Sequence, residues 1–111
     1  MAPKIISAII TFLINIAVGV VVLATMILAM NGYSESDAAW GLGAFVVLGF
    51  VVALLMALGA FLLAGFFTNK QYGAFAAVII PILVFAIVGA GLEIVTGGIG
   101  VAIAEIARVN F

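Results

Sequence analysis

The stretch IISAIITFLINIAVGVVVLATMILAM, residues 5–30, runs for 26 residues without a charged side chain. About 20 predominantly apolar residues carry an α-helix across the hydrocarbon of a bilayer, so this segment alone points to lipid as its solvent. Lys4 ahead of it resembles the start of a secretory signal, but the run is longer than the apolar core of such a signal and reads as a retained span. The whole composition agrees. Of 111 residues, 69% are hydrophobic and 6% charged, with a mean hydropathy of +1.62, whereas a soluble domain is roughly half apolar and a quarter charged. A soluble fold of this size leaves too much surface exposed to hide that much apolar area.

Two more apolar stretches follow, 38–67 and 73–95, the first of them charge-free. Between the first and second spans, NGYSESDA (31–38) has the makings of a turn and a helix start. Gly32 suits a left-handed C-cap, Ser34 or Ser36 suits an N-cap, and Glu35 and Asp37 suit the positive end of the next helix. TNKQY (68–72) is the next break, short enough to make the second and third helices antiparallel neighbours. The expected fold is therefore all-α: one membrane domain, 1–111, with three transmembrane helices in a small up-down-up bundle. Beyond 95, Gly97, Gly98 and Gly100 weaken helix by about 1 kcal/mol each relative to alanine. The tail 97–111 is read either as a short interfacial helix after a bend, the reading preferred here, or as an extension of the third span. On the first reading Ile99, Ala102, Ile103 and Ile106 share its apolar face, while Glu105 and Arg108 sit three apart on another.

Orientation follows from the basic residues, which favour the cytoplasmic side. Lys4 and Lys70 fall at one end of such a bundle and the acidic Glu35/Asp37 loop at the other, placing the N-terminus in the cytoplasm and the C-terminus opposite; Arg108 runs against this assignment. Tyr33 and Trp40 suit an outer aromatic belt and Tyr72 an inner one.

Helices in lipid have no hydrophobic drive toward one another, so small side chains and interhelical hydrogen bonds mark where they touch. On the first span Ser7, Thr11, Asn15 and Gly19 recur at intervals of four, with Thr25 near the same line. On the second, Gly49, Ala53, Ala60 and Ala64 lie on one seam, with Ala57 between them. On the third, Gly89, Glu93 and Gly97 recur at intervals of four. These three stripes are the expected packing surfaces. Pro81 removes one helical donor and frees the carbonyl of Ala77, and Asn15 or a neighbouring hydroxyl is expected to satisfy it. At about 1.5 Å per residue, Asn15 comes roughly 15 Å and Glu93 roughly 30 Å from the cytoplasmic start. That count separates the two and leaves Glu93 near the outer boundary. A third helix that instead runs straight through its glycines brings Glu93 close to mid-span, where a carboxylate points to pairing, or to a proton or cation role.

Much chemistry is set aside by composition. A net charge of −1 from three basic and four acidic residues offers no footprint for nucleic acid. The chain has no cysteine and no histidine, the usual sources of thiolate and imidazole ligands and of general-base chemistry. No catalytic, cofactor-binding or metal-ligating residue is assigned, and no enzyme is expected. A cofactor of its own is not expected either, though a lipid, pigment or quinone held by neighbouring subunits stays open. The glycine-rich stretch GGIGVAIAEIARVNF (97–111) differs from the proteolipid-ring subunits of rotary ATPases, which are two-helix hairpins with the carboxylate midway along the second helix. Small four-helix multidrug exporters carry a glutamate in their first helix, where this chain has none. No family is assigned on this basis. The expected partners are the lipid bilayer and either other membrane protein subunits or copies of the chain. The leading expectation is a non-catalytic accessory or structural subunit of a membrane protein complex. The alternative is a homo-oligomeric ion channel, a holin-like pore or a proton or cation carrier that uses Glu93.

Overall fold

The computed structural model describes residues 2–32, 34–70 and 73–110. It is all-α. Helix α1 spans Ala2–Ala29, α2 spans Glu35–Asn69 and α3 spans Ala74–Asn110, with 28, 35 and 37 residues. Each is long and apolar enough to cross a membrane. The three lie side by side in a rod of 56 × 18 × 16 Å, each packed against the other two and α2 most extensively against α3.

The connections follow from local chemistry. Gly32, at φ +95°, takes the left-handed turn that ends α1. Ser34 caps α2 with its hydroxyl, accepting from the Asp37 amide at 3.2 Å, and Glu35 and Asp37 occupy the first turn, where the helix dipole favours negative charge. At the other end of α2 the Lys70 amide donates to the Phe66 carbonyl at 3.0 Å. Tyr33 and Tyr72, assigned to aromatic belts from the sequence, lie outside the described residues, as does the end of the tail at Phe111; Trp40 is exposed.

The third helix departs from the preferred expectation. It runs unbroken from Ala74 to Asn110 through Gly97, Gly98 and Gly100, so the tail continues the helix instead of bending away. Its inward face there is not the face that carries the isoleucines. Gly100, Ala104 and Ala107 are buried, while Ile99, Ala102 and Ile106 are exposed. Tertiary contact outweighs the weak propensity of glycine: at Gly41 and Gly100 the backbones of α2 and α3 come so close that a side chain on either would overlap the other helix. Glu105 and Arg108 form an exposed ion pair on the outer face of this last segment.

The core is built from small residues. Ala53, Ala60 and Ala64 of α2 are fully buried, with Ala57 half-buried beside them. The Phe85 ring of α3 packs against Gly59. Met26, Met30, Phe45 and Ala104 form an apolar cluster toward the C-terminal end of α1. Because the seam is this close, replacing Ala60 with Leu should destabilise the bundle by about 1–3 kcal/mol, read as an earlier transition when helicity is followed during titration with a denaturing detergent. An unchanged transition would mean that α2 does not pack through this seam.

Candidate functional site

The polar stripe of α1 turns inward. Ser7, Thr11 and Asn15 are fully buried, facing α3. The Ser7 hydroxyl donates to the Val78 carbonyl at 3.1 Å. The Asn15 amide donates to the Thr11 carbonyl of its own helix at 2.9 Å and, at 3.4 Å, to the Phe85 carbonyl of α3. The side-chain partner expected for the Ala77 carbonyl is thus misplaced. Ser7 reaches the neighbouring carbonyl of Val78, and Asn15 emerges two turns farther along α3. Counting from residue 5 set Asn15 too shallow, since α1 is helical from Ala2.

Beyond Asn15 the two helices interlock. Asn15 Oδ1 lies where a side chain on Gly89 would stand, so only glycine fits that position beneath it. One turn on, the roles reverse. Glu93 projects from α3 toward Gly19 of α1 and Gly49 of α2; a Cβ on Gly19 would stand 3.5 Å from Glu93 Oε2, and one on Gly49 only 2.9 Å. Asn15 and Glu93 are therefore about 6 Å apart along the bundle axis, and the depth separation inferred from the sequence does not hold. Each helix supplies a polar side chain and, four residues later or earlier, the glycine that receives the other. Gly97 continues the row, with Val22 and Met26 of α1 against it.

Glu93 is 1% exposed. It lies nineteen residues past Ala74 and seventeen before Asn110, so it is near the midpoint of α3. Its Oε2, with Asn15 Oδ1 and Thr11 Oγ1, is buried without a hydrogen-bond partner among the described residues. Both Glu93 and Asn15 line a cavity of about 200 Å³ between α1 and α2. Thr25, placed near the polar line from the sequence, is instead exposed and donates to the Val21 carbonyl of its own turn.

Some interior residues were not singled out from the sequence. Gly41 and Phe45 extend the α2 seam back from Gly49 in steps of four, and Gly100, Ala104 and Ala107 extend the α3 row, both at helical spacings open to inspection. Thr96 is also buried, donating to the Leu92 carbonyl at 2.7 Å. No group of three or more His, Cys, Asp or Glu side chains suited to a metal ion occurs among the described residues.

Replacing Gly89 with Ala should destabilise the bundle, because the Asn15 amide must leave its seat. In an Asn15→Ala background the same change should be better tolerated, with a coupling of about 0.5–3 kcal/mol across the double-mutant cycle. Detergent-titration stabilities of the four proteins measure it, and strict additivity would exclude the interlock. Comparison of the chain with protein-family models, with curated proteins and with solved structures finds no match to any of them.

Proposed function

We propose that the chain is an integral membrane protein crossing the bilayer three times in up-down-up order, and that it serves as a non-catalytic subunit of a larger membrane complex. The observation carrying this reading is the inversion of its surface. Leu28, Phe75 and Ile87 are 77%, 78% and 73% exposed on three different helices, while Ser7, Thr11, Asn15 and Glu93 are buried. Apolar patches of this extent mark lipid or protein contact. Contact register supports the helix order. Ser7, Asn15, Gly19 and Met26 meet Val78, Phe85, Glu93 and Gly100 in rising sequence along α3, whereas Gly41, Gly49 and Gly59 meet α3 in falling sequence at Gly100, Glu93 and Phe85.

The distribution of charge supports an orientation. Lys4 packs beside Phe61 and Gly65, in the last turns of the helix that leads into Lys70, which puts two positive charges at one end. Glu35, Asp37 and Glu105 against Arg108 leave the other end with an excess of two negative charges. By the positive-inside rule the lysine end is cytoplasmic. The non-catalytic part rests on the carboxylates: Glu35 and Asp37 occupy a helix start, Glu105 pairs with Arg108, and Glu93 has no titratable neighbour among the residues that touch it. The long unpaired helix faces leave apolar surface for lipid or for other subunits to cover.

The straight course of α3 favours a second reading, in which Glu93 carries a proton or cation through a ring of identical copies, since it leaves the carboxylate near mid-helix and unpartnered. Mass analysis after gentle detergent extraction separates the two: unlike subunits in fixed ratio for the first, one chain in several copies for the second. Flux through the purified protein in vesicles, abolished by Glu93→Gln, would replace the first reading with the second. For the topology, the chain has no cysteine, so single-cysteine variants at the exposed Ser36 and Asn69 should react with an impermeant thiol reagent from opposite faces of the membrane. Reaction of both from one face would refute three crossings.

A further inference from the structure

The chain has three basic residues, and each is occupied away from Glu93. Lys4 Nζ stands 5.7 Å above the Phe61 ring, Lys70 Nζ 5.8 Å above Phe66, and Arg108 pairs with Glu105. Among the described residues, the three buried side-chain atoms without hydrogen-bond partners, Thr11 Oγ1, Asn15 Oδ1 and Glu93 Oε2, are all oxygens. What this interior lacks is positive charge: no lysine or arginine is among the residues lining the cavity with Glu93. Oε2 lies in the gap where α1 and α2 both present glycine, Gly19 and Gly49, and the cavity beyond is walled by apolar residues such as Val20, Val46 and Phe50, all three exposed. Its 200 Å³ equals about seven water-sized volumes, the scale of one long side chain.

We propose that a transmembrane helix of an unlike partner protein seats against this α1–α2 groove and delivers a lysine or arginine side chain through the Gly19–Gly49 notch to Glu93. The inference rests on the membrane reading above and names the chemistry of the partner that reading requires. Charge complementarity selects the occupant. A carboxylate removed from water is stabilised most by a charge-assisted hydrogen bond, and leaving one such charge buried without its counterpart is strongly unfavourable. A second copy of this chain does not meet the need, since residues 5–69 hold no basic side chain and residues 71–107 hold none either. A lipid headgroup does not reach so deep: Glu93 is near the midpoint of α3, about 15 Å inside a hydrocarbon region about 30 Å thick. A side chain from an apolar helix does, entering sideways at the depth of the notch, with the exposed valines and Phe50 on either side as its bed.

The probes are two synthetic single-span peptides, one all-leucine and one with a single central lysine, added to vesicles holding the full chain labelled at a cysteine replacing Ser36. Binding is followed by energy transfer. The lysine peptide should bind the wild-type chain at least about tenfold more tightly than the leucine peptide, about 1.4 kcal/mol. That preference should be lost with Glu93→Gln and reduced with Gly49→Ala, whose methyl fills the notch. Equal binding of both peptides to wild type, or a preference that survives in Glu93→Gln, overturns the proposal. A photoreactive residue at Val46, with Glu93 intact, gives an answer even where those variants fold poorly. In the native membrane it should crosslink to a protein with Lys or Arg inside a membrane span at the crosslinked depth; crosslinks to lipid alone, or to another copy of the chain, overturn the proposal. Cysteine accessibility tests the membrane reading on its own, so a chain that inserts correctly but shows no lysine preference defeats this inference and leaves that reading intact.

Discussion

The bundle is organised by one reciprocal fit: Asn15 of α1 over Gly89 of α3, and Glu93 of α3 against Gly19 of α1 and Gly49 of α2. Two polar side chains enter the interior, and each is admitted because the opposing residue has no side chain of its own. Such a fit sets relative rotation and height together. Moving α1 by one residue would turn Asn15 by about 100° and lift it about 1.5 Å, taking it off its glycine. With that height set, Ser7 comes level with the Val78 carbonyl and Met26 comes against Gly97 and Gly100. Because Gly49 belongs to the same contact, α2 is registered by the same side chain.

The interior that results is graded along its length. Toward the N-terminal end of α1 it holds the Ser7 hydroxyl and the Asn15 amide, which bond to backbone carbonyls, and toward the other end it holds methionine and phenylalanine. Glu93 stands at the change between the two. Its carboxylate end fills the space beside Gly19 and Gly49, and its Oε2 is buried there without a partner among the described residues.

Three helices, and the residues on their touching faces, were legible in the sequence because both leave periodic marks. Long apolar runs marked the three helices, and intervals of four marked Ser7–Thr11–Asn15–Gly19 and Gly89–Glu93–Gly97. Gly49, Ala53, Ala60 and Ala64 were equally visible and are buried, with Ala57 half-buried. The behaviour of α3 past Gly97 was not legible, because intrinsic propensity counts glycine as a breaker while contact with Gly41 makes it a packing residue. The pairing of Asn15 with Phe85 and Gly89 escaped for a different reason. Height along neighbouring helices depends on where each one starts, and an error of a few residues at each start displaces partners by a full turn. Once the tail was assigned to the interface, Glu93 was placed near the end of the third helix, whereas it stands near the midpoint of α3.

The uninterrupted apolar length of α2 has a consequence of its own. Residues 38–67 carry no charge and, as helix, extend about 45 Å, against a hydrocarbon thickness of about 30 Å. To match that slab by leaning alone, the rod would have to incline by more than the roughly 40° at which tilts level off. In a bilayer, an apolar helix of this length would suffer less mismatch the thicker the hydrocarbon around it.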